Sequence, residues 1–269
     1  MENYCKYIDS VIYSILYMVN IVLRILFLLQ RNMRKVLSNN VILKKMRTRD
    51  ECFVVGNGPS LNNVDLELLN DKDTFTVNFF FKHHKQGFTS KYFIAVDPAF
   101  YINDECKRYI DEIYGLYPQM IFILKYEAFL EDPKKWDLDR TFFISQRQFQ
   151  LGRAVDIDYT KNVTACLDIV LHCIQVAIYM GYKKIYLLGC DFNDYASIKQ
   201  RHYYSDYATE EKRVINMGAY ARWASMIHYH HYALQEEAVK RGIEIINLTE
   251  DSLIDAYPRK KLDEILANC

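Results

Sequence analysis

The feature that most constrains this chain is an alternation of short apolar runs and helical patterns that begins at residue 51. The first run, Cys52-Phe53-Val54-Val55, leads into Gly56-Asn57-Gly58-Pro59-Ser60, and a second run at residues 184–188 is closed by Gly189. Similar runs lie at residues 74–80, 92–96, 120–124, 141–144 and 243–248, and helical patterns lie at residues 61–69, 164–180 and 210–241. Buried parallel strands have continuous apolar runs of this kind, and helices connect them. The sequence therefore predicts an α/β fold with a Rossmann-like parallel sheet flanked by helices.

Composition narrows the class of protein. The 269 residues are 51% hydrophobic, which is enough to bury a full core in one large domain. Lys plus Arg and Asp plus Glu both number 34, so there is no broad positive field, and no nucleic-acid partner is expected. The seven cysteines are scattered without a Cys-x-x-Cys pair, which favours a reduced, cytoplasmic setting.

Residues 1–49 predict an amphipathic helical segment that precedes a catalytic domain at residues 50–269. Residues 11–29 are apolar except for Ser14, Asn20 and Arg24, and on a helix the polar side chains form one narrow stripe. The stripe consists of Lys6, Ser10, Tyr13, Tyr17, Asn20, Arg24 and Arg31, and further basic residues follow at Arg34, Lys35, Lys44, Lys45, Arg47 and Arg49. Cations beside an apolar helix attract anionic lipid, so we expect peripheral contact with a membrane. Packing of the helix on the catalytic domain or on a second subunit, and a single membrane span, remain alternatives.

Ligands of open parallel sheets bind beyond the carboxyl ends of the strands, so residues that follow the apolar runs are candidates for nucleotide binding. Gly56 and Gly58 are expected to let the backbone approach a ligand, and Ser60 to add N–H groups that favour an anion. The other candidates in such positions are Asn57, Pro59, Asn78, Asp97, Asp191, Phe192 and Tyr195. The loop lacks the lysine of a Walker A sequence, and Leu61 stands where a complete Gly-x-Gly-x-x-Gly would have its third glycine.

Candidate catalytic residues lie in a polar segment at residues 201–207. His202 is the candidate general base, because an imidazole with a pKa near 6.5 accepts a proton at cellular pH, and Tyr203 and Tyr204 accompany it. On a helix His228 and His231 share a face while His230 points elsewhere, so a zinc site is not expected. Three Asp-x-Asp pairs, at residues 71–73, 137–139 and 156–158, are interpreted as solvated turns.

Four stretches together resemble known families: residues 52–61, Val77-Asn78, Val96-Asp97-Pro98 and residues 179–192. They are similar to the bacterial CMP-sialic-acid-dependent sialyltransferases and to the MptE-like proteins, which are named after an archaeal 6-hydroxymethylpterin diphosphokinase. The resemblance covers roughly residues 51–248 and implies that Asn57, Gly58, Ser60 and Asn78 hold CMP. Asp97 stands where the sialyltransferases have an asparagine, and Lys161 or Arg153 would replace their arginine. The resemblance also implies that the phosphate-binding tyrosines and the catalytic histidine are found among Tyr195, His202, Tyr203 and Tyr204.

The expected function is a glycosyltransferase that moves a nucleotide-activated, CMP-linked sugar to a glycan or glycolipid acceptor in cell-surface polysaccharide or lipooligosaccharide synthesis. Such an enzyme would work at the cytoplasmic face of the inner membrane, and homo-oligomerisation is left open. His202 would deprotonate the acceptor, and tyrosine hydroxyls and backbone amides would stabilise the departing phosphate without a metal. One alternative is an MptE-like diphosphokinase that uses ATP and Mg²⁺ held by Asp97 and Asp191. Another is a non-catalytic, membrane-associated partner of polysaccharide enzymes.

Overall fold

A parallel sheet of eight strands runs through the chain, of which the computed structural model describes residues 2–83, 87–150, 155–193 and 216–267. The strands are β1 (Glu51–Val55), β2 (Asp73–Val77), β3 (Tyr92–Ala95), β4 (Ile121–Lys125), β5 (Thr141–Gln148), β6 (Asn162–Thr164), β7 (Lys184–Leu188) and β8 (Glu244–Asn247). Their order across the sheet is β6-β5-β4-β3-β2-β1-β7-β8, and each pair of neighbours is parallel. The predicted Rossmann-like α/β fold is confirmed.

The α-helices of the described residues are α1 (Glu2–Leu29), α2 (Arg31–Ser38), α3 (Phe80–His83), α4 (Ala99–Ile102), α5 (Asp104–Leu116), α6 (Tyr126–Glu131), α7 (Ile169–Met180), α8 (Met217–Lys240) and α9 (Leu262–Leu266). Three 3₁₀ helices lie at Asn39–Lys45, Pro59–Asn63 and Leu66–Leu69.

Helices cover both faces of the sheet. Successive side chains of a strand point to opposite faces, so Val54 of β1 packs with α7 and α8 while Phe53 packs with the 3₁₀ helices and α9. Farther along that second face, α5 and α6 cover β3, β4 and β5. The sheet is therefore buried on both sides, which explains why most of its strands consist largely of apolar residues.

Several element boundaries differ from the predicted ones for local reasons. Residues 61–69 form two 3₁₀ helices, because Val64 and Asp65 are extended between them and the Asp65 side chain caps the second. The helix expected from residue 164 begins at Ile169, where Asp168 accepts a hydrogen bond from the Val170 N–H. Thr164 belongs instead to β6, a three-residue strand too short and too polar to stand out in the sequence.

Residues that follow α1 belong to the core of the sheet domain. Leu37 and Leu43 are fully buried. The Asn40 Nδ2 donates hydrogen bonds of 2.7 Å to the carbonyls of both Phe143 and Tyr159, at a position where β6 is too short to cover β5. The boundary expected after residue 49 therefore falls within a stretch that shares one core with the strands.

The apolar N-terminal helix is present as α1. Residues Ser10–Leu29 have a mean hydropathy of 2.2, so this part is long and apolar enough to cross a membrane by length and composition.

Candidate functional site

The order of the strands places two loops side by side. β1 lies between β2 and β7, so the loops that leave the carboxyl ends of β1 and β7 emerge next to each other. In open parallel sheets the point where the strand order reverses is where ligands bind. We call the carboxyl ends of the eight strands the carboxyl edge, and the candidate site lies on it.

The β1 and β7 loops are in direct contact. The Gly56 N–H donates to the Leu188 carbonyl and the Gly58 N–H to the Gly189 carbonyl, each at 2.8 Å. A Cβ on Gly56 would lie 2.4 Å from the Gly189 oxygen, and a Cβ on Gly58 would lie 1.8 Å from Asp191 Oδ2. The space beside both glycines is thus filled by the neighbouring loop, whereas the sequence had suggested that a ligand fills it.

Ser60 and Asp191 bind each other across this contact. The Ser60 hydroxyl donates to Asp191 Oδ2 at 2.7 Å, and the Ser60 N–H donates to Oδ1 at 3.1 Å. Burial raises the pKa of Asp191, and the hydrogen bonds from Ser60 oppose that rise. The Ser60 N–H, which was expected to help favour an anion, therefore binds Asp191 in this structure. Asp191 holds the two loops together.

Asn57 and Asn78 lie at the ends of β1 and β2 with unsatisfied acceptors. The Asn57 Nδ2 donates to the Val77 carbonyl at 3.3 Å, and the Asn78 N–H donates to the Ile94 carbonyl at 3.1 Å. Both Oδ1 atoms are buried and have no hydrogen-bond partner in the part of the chain that the structure describes. An unsatisfied buried acceptor costs about 1–3 kcal/mol. A ligand that donates hydrogen bonds to these two oxygens would remove that cost.

Two charged residues lie farther along the carboxyl edge. Asp97 follows β3, is exposed, and accepts a hydrogen bond of 2.8 Å from the Ala99 N–H. Lys125 ends β4 and is partly buried; burial lowers its pKa, and Glu127 and Asp97 oppose that change. Lys125 was not among the residues predicted for the site, although it directly follows an apolar run and satisfies the same positional rule as Asn78.

Phe192 connects the β7 loop to α8. Its φ of 48° is left-handed, and its ring packs 5.1 Å from the His228 ring and 6.3 Å from Trp223. His228 is partly exposed, and burial lowers its pKa while Asp255 opposes the change. His228 is therefore neutral near pH 7 and able to accept a proton from a group bound beside Phe192.

The other two histidines of α8 are buried. His231 hydrogen-bonds through Nδ1 to the Tyr257 hydroxyl at 2.9 Å, and burial holds its pKa well below the usual range. His230 points elsewhere, as its helical spacing predicts, and lies 3.3 Å from the Gln175 amide with a pKa lowered by burial to about 4. Both side chains are buried, and each contacts another buried side chain of the protein.

The remaining predicted residues fall into two groups. Tyr195, His202, Tyr203, Tyr204 and Arg153 lie outside the described residues. Lys161 lies at the amino end of β6, where it pairs with Asp158 at 2.7 Å, so it is at the opposite edge of the sheet.

One of the Asp-x-Asp pairs that were expected in solvated turns contains a buried aspartate. Asp73 is buried at the start of β2 and accepts hydrogen bonds from Thr48, Lys91 and Tyr182, so it belongs to the core. Within residues 2–83, 87–150, 155–193 and 216–267, no group of three or more His, Cys, Asp or Glu side chains is arranged to hold a metal ion.

Comparison with known structures found sialyltransferases of Campylobacter jejuni. The sialyltransferase CstII in complex with cytidine-5'-monophosphate is 17% identical, with a TM-score of 0.48 over 79% of this chain and 85% of that one. The monofunctional alpha-2,3-sialyltransferase Cst-I is 19% identical, with a TM-score of 0.49 over 78% of this chain and 80% of that one. At these identities the likeness concerns the fold.

The sequence of the chain was also compared with curated proteins and with family profiles. No curated protein matched the chain. A family profile described as 6-hydroxymethylpterin diphosphokinase MptE-like matches residues 28–196, which include β1 to β7 and more than half of the chain. The chain belongs to this MptE-like family, one of the two groups that its glycine-loop and Gly-Cys-Asp-Phe motifs resemble.

Proposed function

We propose that the chain is a glycosyltransferase that binds a nucleotide-activated sugar at the carboxyl ends of β1, β2 and β7. The observation that carries the proposal is the pair of buried, unsatisfied oxygens, Asn57 Oδ1 and Asn78 Oδ1. Both are acceptors, so they call for a ligand with hydrogen-bond donors, such as ribose hydroxyls or the amino group of a base. The resemblance of the loop motifs to sialyltransferases favours a CMP-linked donor.

The loops that carry these asparagines lack the side chains that usually bind a metal-bound triphosphate. The β1 loop has no lysine of the Walker A type, and the Asp191 carboxylate is occupied by Ser60. Lys125 is the partly buried cation of the carboxyl edge and would face a donor phosphate. A metal-independent transfer therefore suits these residues better than a kinase reaction does.

His202 is the proposed general base, with Tyr195, Tyr203 and Tyr204 as donors to the departing phosphate. This assignment rests on the sequence resemblance. His228 is the second candidate, because its ring lies 5.1 Å from that of Phe192 in the β7 loop. His202→Ala should lower turnover by roughly 10² or more while nucleotide affinity stays unchanged, because a base acts in the transition state. If turnover of that variant is near normal while His228→Ala is inactive, the base is His228.

Nucleotide binding can be tested before an acceptor is known. Thermal unfolding would be followed with CMP, CDP, UMP, GDP and ATP, each with and without Mg²⁺. A ligand at about 100 times its Kd stabilises the native state by about 2.7 kcal/mol, which is a shift in Tm of roughly 5–10 °C for a chain of this size. We expect CMP or CDP to give this shift without Mg²⁺.

Asn78→Gly tests the role of the buried oxygens directly. Glycine suits the φ of 49° at this position, and the substitution removes a buried acceptor that has no partner. The free variant should therefore unfold near the wild-type temperature, while its affinity for the nucleotide falls on the order of tenfold. Asn62→Ala is the matched control, since Asn62 is exposed on the adjacent 3₁₀ helix and should leave affinity unchanged.

A diphosphokinase activity is the second candidate function, and the description of the family favours it. It requires Mg²⁺ on carboxylates, and Asp97, which belongs to one of the resembling stretches, offers an exposed carboxylate at the carboxyl edge. A thermal shift with ATP only in the presence of Mg²⁺, abolished in Asp97→Asn, would replace the glycosyltransferase proposal with this one. No response to any nucleotide would favour a non-catalytic partner of polysaccharide enzymes.

A further inference from the structure

Two polar side chains in the second half of α1, Asn20 and Arg24, bind the sheet domain. The Asn20 amide is buried and binds the Phe149 backbone twice, with Nδ2 donating to the carbonyl at 2.9 Å and Oδ1 accepting from the N–H at 2.8 Å. Arg24 donates to Gln148 Oε1 at 3.0 Å and lies 3.6 Å from Asp156 Oδ2. Phe149 directly follows β5, so these bonds fix α1 beside the carboxyl edge.

The opposite side of α1 is apolar and exposed. Side chains spaced by three and four residues are between 44% and 74% exposed: Val11, Ile15, Met18, Val22, Ile25 and Leu29. A surface helix of a soluble protein has the reverse arrangement, with its apolar stripe against the core. A continuous exposed apolar stripe marks a surface that contacts lipid or another protein.

Charge decides between lipid and a second copy of the chain. Residues 10–49 contain eight Lys or Arg and no Asp or Glu. Five of these cations are exposed and form no ion pair with any described residue, namely Arg31, Arg34, Lys35, Lys44 and Lys45. A symmetric dimer through α1 would bring two such segments together, and like charges repel. An anionic lipid surface would attract them.

We propose that α1 lies in the surface of an anionic lipid bilayer, with its apolar stripe among the acyl chains and with Asn20 and Arg24 bound to the sheet domain. A spanning orientation would carry Asn20 and Arg24 into the hydrocarbon together with the Phe149 and Gln148 groups that they bind, which is costly. The placement beside the carboxyl edge presents the site to molecules held in the membrane. If the proposed function holds, the acceptor is therefore a lipid-linked glycan.

Sedimentation of the full chain with vesicles tests this placement. Phosphatidylcholine vesicles with and without phosphatidylglycerol would be compared at low and high salt. We expect binding to the anionic vesicles that weakens with salt. The double variant Ile15→Glu, Val22→Glu should lower the bound fraction roughly tenfold or more, because charged side chains partition poorly into acyl chains. Leu116→Glu is the matched control, since Leu116 is a similarly exposed leucine on α5 and should leave binding unchanged.

Measurements of folding and of self-association distinguish a loss of lipid binding from misfolding and from dimerisation. Circular dichroism should show that both variants keep the wild-type content of secondary structure, and light scattering would give the mass of the lipid-free chain. The proposal fails if the wild type does not bind anionic vesicles, or if the double variant binds as well as the control. It also fails if the chain forms a dimer that the double variant abolishes while lipid binding is absent. Nucleotide binding in lipid-free solution would be measured alongside, so a failure of the proposed function would be seen independently.

Discussion

Gly58→Ala is the sharpest test of how the β1 and β7 loops are joined. Gly58 has φ −71° and ψ 154°, which alanine adopts without strain, so the effect of the substitution is steric. The added Cβ would lie 1.8 Å from Asp191 Oδ2, which forces that carboxylate away from its position. Asp191 would then lose the two hydrogen bonds from Ser60.

The expected size of the effect follows from those two bonds. Hydrogen bonds to charged groups contribute about 1.5–3 kcal/mol each, so the loss should be about 3 kcal/mol or more. For a chain of this size that is a fall in Tm of roughly 6–12 °C. Urea unfolding followed by circular dichroism would measure the free energy of unfolding directly.

Gly115→Ala provides a matched control. Gly115 lies near the end of α5, and a Cβ there would meet no atom within 4 Å. This variant should be more stable than the wild type by about 0.5–1 kcal/mol, because alanine is the better helix former. In the double variant Gly58→Ala, Asp191→Ala the loss should be smaller than the sum of the two single losses, since the main obstacle to the Cβ is gone. Wild-type stability of Gly58→Ala, or full additivity of the pair, would refute the proposed contact.

Three further predictions concern the core. Burial raises the pKa of Asp73, but hydrogen bonds from Lys91, Thr48 and Tyr182 outweigh this, so the folded pKa lies below the usual value near 3.9. The ionised Asp73 carboxylate therefore stabilises the folded state above the usual pKa, and this stabilisation is lost as pH falls through the folded pKa. Urea unfolding should show that Asp73→Asn has a lower free energy of unfolding than the wild type at pH 6. The difference between the two proteins should shrink toward pH 3. Asn40→Ala should cost about 1–3 kcal/mol for each of the two carbonyls that it leaves unpaired, again by urea unfolding. Deletion of residues 1–49 should give a chain without a cooperative thermal transition, because Leu37 and Leu43 are buried in the core. Deletion of residues 1–18 should leave the cooperative transition in place. Equal thermal unfolding of the two truncated chains would contradict this prediction.

Most strands of the sheet were predictable because burial on both faces makes their runs largely apolar. The run at residues 184–188 has the bounds of β7, and the helical pattern that was predicted to end at residue 180 ends there, followed by Gly181 with a φ of 87°. β6 escaped prediction because a three-residue strand with two polar side chains has no pattern. Residues 33–43 were placed outside the core because their burial depends on contacts with distant strands.

The sequence positions of the candidate site residues could be predicted, but the contacts that these residues make could not. Asn57 and Asn78 follow apolar runs, so the rule for parallel sheets found them, and the same rule would have found Lys125. The contact between Ser60 and Asp191 was not predicted, because the two residues are 131 positions apart in the sequence. The burial of the two asparagine oxygens likewise depends on the packed loops, which no local pattern encodes.

The wide separation of the β1 and β7 loops has a consequence for how the protein is made. β1 pairs with β2 early in the chain, but its other neighbour β7 begins only at Lys184. A chain emerging from the ribosome can therefore assemble β1 to β6 before the second loop exists, since domains begin to fold during synthesis. Throughout that interval Gly56 and Gly58 have no partner loop, and one edge of β1 is unpaired. The candidate site is thus completed only after most of the chain has been synthesised, and a premature stop before β7 would leave an open strand edge that invites aggregation.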